Sequence, residues 1–76
     1  MAAGGGSQDA VSYRELGLTY EKLGRYEEAV DAMRMAISLT PKVEALHFFL
    51  GRLYREAGHR DEAAREFAEA AKLSGE

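Results

Sequence analysis

Residues 13–41 read YRELGLTYEKLGRYEEAVDAMRMAISLTP, and their apolar positions recur at helical spacing. Apolar residues three or four positions apart lie on one face of an α-helix. Gly24 separates two such segments, and glycine accepts the left-handed conformation that closes a helix. Pro41 follows the second segment and cannot continue it. The stretch therefore predicts two helices that are joined by a tight turn at Gly24.

The chain repeats this pattern at a shift of 34 residues, which aligns Leu16-Gly17 with Leu50-Gly51 and Gly24 with Gly58. The further matches are Tyr20 with Tyr54, Glu28-Ala29 with Glu62-Ala63, Ala36 with Ala70, and Leu39 with Leu73. A fixed period of this length indicates one structural unit that is used twice. The two units predict helices near residues 9–23, 26–39, 43–57 and 61–73.

The first unit resembles the tetratricopeptide repeat (TPR) family. The residues that carry the resemblance are Tyr13, Leu16-Gly17, Tyr20, Gly24, Tyr26, Ala29, Met33, Ala36 and Pro41. The second unit keeps Leu50-Gly51, Tyr54, Gly58, Ala63, Phe67 and Ala70, but has His47 at the aromatic position, Arg60 in place of Tyr26 and Gly75 in place of Pro41. The resemblance implies an all-α fold of two antiparallel helix-turn-helix units, four helices in all, stacked in a short right-handed superhelix.

The organisation of the chain follows from this repeat. We expect one TPR unit over residues 9–42 and a second over residues 43–76. Three consecutive glycines at residues 4–6 predict a flexible leader over residues 1–8, which is either native or left from the excision of a longer protein. No signal peptide and no bilayer-length apolar run is present, so the compartment is unknown and the cytoplasm is the default expectation.

The charge and composition argue against several functions. The formal net charge of −3 argues against nucleic acid as the main partner, because that binding needs a cationic surface. Cysteine is absent, which excludes disulfides and thiolate zinc sites. His47 and His59 lack the spacing of a metal pair, and the glycines at residues 4–6 follow no strand that would make a phosphate loop. We therefore expect no enzyme activity, no cofactor, no metal and no membrane insertion.

One stripe on the first and third helices is predicted to face the concave side of the superhelix. It comprises Val11, Arg14, Leu18 and Glu21, then Ala45, Phe48, Arg52 and Arg55. Guanidinium groups grip carboxylates, and an exposed Phe supplies an apolar anchor. The candidate partner-binding residues are accordingly Arg14, Leu18, Glu21, Phe48, Arg52 and Arg55. Alternatively, Phe48 lies against its neighbours, and Arg14, Arg52 and Arg55 are solvated ends that are paired with Glu21 and Glu56.

Some TPR proteins hold the C-terminal carboxylate of a partner with a Lys and an Asn on the first helix of a repeat. The matching positions here are Arg14 and Leu18, and Arg52 stands where the next repeat would offer Asn. The resemblance therefore does not extend to that clamp. A different acidic or extended peptide remains compatible with the sequence.

Positions that differ between the units distinguish the two ends of the pair. The first helix has Ser12, Glu15 and Thr19 where the third has Leu46, Phe49 and Leu53. We expect the third helix to pack on the preceding repeat and the first to face water. On the fourth helix, Glu66 and Glu69 replace Ala32 and Met35, which predicts the end of the stack. Apolar surface nevertheless remains at Ala64, Phe67, Ala71 and Leu73, and a homodimer would cover it.

The favoured function is a protein–protein interaction module that takes a partner peptide or helix on its concave face, within a larger protein or assembly. The alternative is a structural scaffold that homo-oligomerises through its open end or its groove. Both interpretations follow from the fold and its surfaces, and neither identifies the partner.

Overall fold

The structure, a computed structural model, describes residues 9–75, which form four α-helices and no strand. The helices are α1 (Ala10–Lys22), α2 (Tyr26–Leu39), α3 (Glu44–Glu56) and α4 (Arg60–Leu73). The all-α prediction is confirmed, and each helix end lies within one residue of its predicted position. The leader predicted over residues 1–8 lies outside the described residues.

The two tight turns have the same construction. Gly24 has a φ of +76° and Gly58 a φ of +90°, a region that side-chain-bearing residues rarely adopt. The next residue then closes the helix, because the Arg25 backbone N–H donates to the Tyr20 carbonyl over 2.9 Å. The His59 N–H donates to the Tyr54 carbonyl in the same way, over 2.8 Å. These glycines satisfy the last carbonyls of α1 and α3, as predicted.

The helix starts are stabilised by acidic residues. At α1 the Asp9 side chain accepts a hydrogen bond of 2.8 Å from the Ser12 backbone N–H, which caps the helix. The first turn of α2 carries Glu27 and Glu28, and that of α4 carries Asp61 and Glu62. Negative charge at these positions complements the positive end of the helix dipole. These carboxylates therefore have a structural role without any ligand.

Most of the core lies where α3 packs on α2. The α1–α2, α2–α3 and α3–α4 pairs are in contact. The buried cluster comprises Ala29, Val30, Met33 and Ala36 of α2 with Leu46, Leu50 and Leu53 of α3. Phe49 packs against this cluster, whereas Glu15 and Thr19 of α1 are exposed. The prediction that α3 packs on the preceding repeat while the corresponding face of α1 meets water is confirmed.

Two glycines permit close helix approach. A Cβ added at Gly17 would lie 3.2 Å from the Met33 methyl and 3.3 Å from the Ala29 carbonyl oxygen. A Cβ added at Gly51 would lie 2.8 Å from the Phe67 ring, which is closer than carbon atoms pack. Both glycines therefore sit in close helix contacts, and the second hairpin is the tighter one.

Candidate functional site

The structure brings two of the predicted site residues directly together. Arg52 of α3 donates from Nε and Nη2 to the carboxylate of Glu21 on α1, over 3.1 and 2.7 Å. The Arg52 side chain is 30% exposed and that of Glu21 18%, so the pair is largely shielded from water. The guanidinium also lies 5.1 Å above the centre of the Phe49 ring. Arg52 is therefore held within the fold. This agrees with the alternative interpretation of the sequence, in which the arginines pair with Glu21 and Glu56.

A second carboxylate adjoins this ion pair. Partial burial raises the pKa of Glu56 above its ordinary value of 4.5, and the neighbouring Glu21 raises it further, while Arg52 and Arg55 act in the opposite direction. Glu21 and Glu56 thus compete for the positive charges of Arg52 and Arg55. Glu56 is a less favourable partner for Arg52 than Glu21, because Glu21 already accepts both guanidinium hydrogen bonds.

Phe48, Phe67 and Arg55 form an aromatic and cationic cluster, which we call the Phe48 cluster. The Phe48 side chain is 51% exposed, and its ring centre lies 5.5 Å from that of Phe67 in a tilted arrangement. The Arg55 guanidinium carbon lies 5.8 Å from the Phe67 ring centre. Within residues 9–75, Arg55 forms no ion pair, so the expected pairing with Glu21 or Glu56 is not found. Its charge remains available to an incoming carboxylate.

Phe67 belongs to this cluster; its sequence position predicted apolar surface at the end of the stack, but Phe67 was not among the predicted partner-binding residues. It stands one repeat after Met33, which is fully buried beneath α3. Phe67 is half-buried and lines a groove of 360 Å³ together with Arg55, Arg60, Ala63 and Ala64. The sequence signal for its exposure was that Phe67 occupies a core position of the repeat on α4, the last described helix, where no following helix covers it.

Arg14 lies in a different environment from the other predicted arginines. It donates to the adjacent Glu15 over 3.2 Å, rather than to Glu21 or Glu56 as the structural alternative expected. Its Nε is buried and has no hydrogen-bond partner among residues 9–75. Arg14 lines a groove of 170 Å³ with Ala10, Val11, Thr40, Val43 and Leu46. Leu18, between these two regions on α1, is half-buried.

His47 carries a polar link that the sequence analysis did not predict. Its side chain is buried at the aromatic position of the repeat, as expected for a packing residue. Its Nδ1 lies 2.7 Å from a Glu66 carboxylate oxygen, and its Nε2 lies 2.8 Å from the Pro41 carbonyl oxygen. The link joins α3 to α4 and to the loop after α2. Tyr13 and Ala32 occupy the equivalent positions of the first unit. The replacement of both by polar residues, His47 and Glu66, was the sequence signal for this link.

Burial lowers the pKa of His47, but the hydrogen bonds to Glu66 and to the Pro41 carbonyl raise it, as do the charges of Glu66 and Glu69. The net pKa lies above the ordinary value of 6.5. Both hydrogen-bond partners are acceptors, and only the doubly protonated imidazole can donate to both. The geometry therefore favours the charged form of His47.

Other kinds of site are not evident in the described residues. Within residues 9–75, His, Asp and Glu form no group of three or more that could hold a metal ion. None of the four helices is long and apolar enough to cross a membrane, among the residues that the structure describes.

Comparison with known proteins identifies the repeat. The family profile described as tetratricopeptide repeat matches residues 10–43, and a second profile with the same description matches residues 45–74. The chain belongs to the tetratricopeptide repeat family. TPR units generally mediate protein interactions, so this chain is a repeat module of the interaction or scaffold type. The family is typically non-catalytic.

Solved structures agree with the family assignment. A structure titled "Crystal structure of MamA" is 32% identical, with a TM-score of 0.82 over 87% of this chain. A second, titled "Crystal structure of MamA protein", is also 32% identical, with a TM-score of 0.80 over 87% of this chain. The TPR chain spans only 39% and 36% of the lengths of those two proteins. No curated protein sequence matches it.

Proposed function

We propose that this TPR pair is a non-catalytic module, within a larger protein or assembly, that binds a partner peptide or helix on its concave face. The contacts are made by the Phe48 cluster, and the preferred segment carries an apolar side chain next to a carboxylate. The proposal rests on the half-exposed Phe48 ring, which packs against Phe67. The Arg55 guanidinium lies over the same Phe67 ring and forms no ion pair with any residue from 9 to 75.

The chemistry of the cluster supports this partner class. A single exposed aromatic residue is common on protein surfaces and has little meaning alone. Here Phe67 supports the Phe48 ring from one side, so the ring is partly ordered before a ligand arrives. Arg55 adds a planar donor that binds carboxylates through two parallel hydrogen bonds. An acidic and apolar segment uses both features at once.

The other predicted residues have supporting roles in the proposal. Glu21 and Arg52 neutralise each other and hold α3 against α1, so they set the spacing of the surface rather than grip the partner. Arg14 and Leu18 extend the surface along α1, where the 170 Å³ groove at Arg14 accepts a small apolar group. A bound segment would thus run across α1 and α3.

The test uses the 76-residue chain as bait for a library of displayed peptides. We expect the selected peptides to share an Asp, a Glu or a terminal carboxylate near an apolar residue. Phe48→Ala and Arg55→Glu should each lose most of this binding, because each removes one of the two anchors.

Matched controls are Leu23→Ala, which truncates an exposed apolar side chain, and Arg65→Glu, which reverses an exposed charge; both residues lie outside the Phe48 cluster. They should bind the selected peptides as the unaltered chain does. If Phe48→Ala and Arg55→Glu also retained full binding, the peptides would occupy another surface and the proposal would be wrong. Circular dichroism of each variant separates lost binding from lost folding.

A further inference from the structure

The join between the two repeats reveals what the outer face of α1 lacks. Leu50 of α3 is 3% exposed, and the groove beside it is completed by Arg34 and Ile37 of α2. Its equivalent one repeat earlier, Leu16, is 42% exposed. We call this surface the α1–α2 end. It forms a groove of 300 Å³ lined by Tyr13, Leu16, Tyr20, Glu28, Asp31, Ala32 and Met35.

At the other end of the molecule, no described helix covers the corresponding face of α4. Val30 and Met33 of α2 are buried beneath α3. Their equivalents one repeat later are Ala64, which is exposed, and Phe67, which is half-buried. We call this surface, which contains the 360 Å³ groove, the α3–α4 end. Within residues 9–75, both surfaces that meet at the join between the repeats thus have a counterpart, at one end or the other, that no described helix covers.

The two ends carry opposite charge. Glu28 and Asp31 line the apolar groove of the α1–α2 end. Arg55 and Arg60 line that of the α3–α4 end. Glu28 is engaged by Arg25 of its own chain at 2.6 Å. Asp31, Arg55 and Arg60 form no ion pair with any residue from 9 to 75. Opposite charges beside two apolar grooves favour contact between the ends and oppose contact of either end with itself.

A polar pair at the internal join provides a test of register. His59 of the second repeat lies 2.8 Å from Glu27 of the first, with the acid on the preceding repeat and the base on the following one. The residue one repeat after Glu27 is Asp61, and the residue one repeat before His59 is Arg25. A second copy stacked in the internal register would therefore place Arg25 beside Asp61 of the first copy, with the same order of charge.

We propose that copies of this chain stack head to tail, with the α3–α4 end of one copy on the α1–α2 end of the next. This self-association goes beyond the proposed peptide binding. The contact is heterologous, so it can extend beyond a dimer. Glu15 and Thr19 replace the partly buried Phe49 and the buried Leu53 of the internal join. The stack is accordingly weaker than that join, reversible, and sensitive to salt.

The first experiment measures the mass of the 76-residue chain by analytical ultracentrifugation across a wide range of concentration, at low and high salt. The mass should rise above that of a monomer with increasing concentration, and salt should shift the rise to higher concentration. A monomer mass at every concentration in low salt would overturn the inference. It would leave the peptide-binding proposal standing, since that proposal does not require self-association.

The second experiment blocks one end at a time. Leu16→Lys adds positive charge to the α1–α2 end, which then repels Arg55 and Arg60. Ala64→Glu adds negative charge to the α3–α4 end, which then repels Asp31. Each variant alone should lose self-association. Mixed together, they should associate again, because each retains the end that the other lacks.

The matched controls are Val11→Lys and Ala45→Glu, at exposed residues outside both ends, and they should associate as the unaltered chain does. Association that survived both end variants would overturn the head-to-tail contact. So would two monomeric variants that failed to pair on mixing. Retained helical circular dichroism establishes that the variants are folded.

Register is tested by Arg25→Asp and Asp61→Arg. Each should weaken association several-fold by opposing like charges, and the double variant should restore it. Equal association of all four forms would overturn the proposed register.

Discussion

Arg52 of α3 and Glu21 of α1 form a two-pronged ion pair across the repeat join, with hydrogen bonds of 3.1 and 2.7 Å. The pair supplements an apolar join that is made mainly between α2 and α3. Since its geometry is fixed at both nitrogens, it limits rotation of one hairpin on the other. One polar contact thus fixes both the orientation of the two repeats and the spacing of the proposed binding surface.

This contact predicts a measurable coupling. Glu21→Gln and Arg52→Gln should each destabilise the chain in urea unfolding, with a double-mutant coupling energy of about 1 kcal/mol for this partly exposed pair. Arg52→Gln should cost more than Glu21→Gln, because it leaves Glu21 and Glu56 facing each other without their shared cation. Additive effects of the two substitutions, with no coupling, would show that the pair contributes nothing to stability.

The hydrogen bonds of His47 predict a pH dependence of stability. The pKa of His47 in the folded chain is raised above 6.5, so folding favours its protonated form. The resulting stabilisation is complete below the pKa that His47 has in the unfolded chain. It is lost as the pH rises through the pKa of His47 in the folded chain. Urea unfolding should therefore show a contribution from His47 that declines as the pH rises above 6.5.

His47→Gln should remove this contribution, leaving the background from the remaining groups. The charged or titratable groups nearby include Glu66 and Glu69 of α4, Arg34 of α2 and Tyr54 of α3. Glu66→Gln should lower the pKa of His47 in an NMR titration, because it removes the accepting carboxylate. Parallel stability profiles for the unaltered chain and His47→Gln would contradict this account.

The helices and turns were predictable because their signals are local. Gly24 and Gly58 mark left-handed turn positions that depend on neighbouring backbone alone, and the apolar period selects the buried face of each helix. Comparison of the units also identified Leu46 and Leu53 as packing residues. The internal repeat supplied this information. Where a position is apolar in one unit and polar in the other, it is covered by a neighbouring helix in the first unit and exposed to water in the second.

The polar links were less predictable because they depend on the stacking geometry. Arg52 and Glu21 are 31 residues apart, and His47 and Glu66 are 19 apart, so helical periodicity relates neither pair. The alternative interpretation paired Arg14 with Glu21 or Glu56, but Arg14 contacts its chain neighbour Glu15, although adjacent residues point in different directions on a helix. These choices depend on side-chain conformations that periodicity does not specify.

Ala29 is predicted to be intolerant of a larger side chain. It is fully buried, and its carbonyl oxygen lies against Gly17. Ala29→Leu should destabilise the chain by about 1–3 kcal/mol, because no space is available for the added carbons. The control, Ala45→Leu, makes the same change at an exposed helix position and should have little effect. A similar melting temperature for the two variants would indicate that α1 and α2 can separate to accommodate the leucine.

Gly51 and Phe67 are predicted to be energetically coupled. Alanine is a better helix former than glycine by about 1 kcal/mol, which alone would make Gly51→Ala stabilising. The new methyl would lie only 2.8 Å from the Phe67 ring, so the ring must move, and with it the contacts to Phe48 and Arg55. Gly51→Ala should therefore stabilise a Phe67→Ala background more than it stabilises the unaltered chain. An equal effect in both backgrounds, measured by urea unfolding, would mean that the ring yields freely and does not set the spacing of α3 and α4.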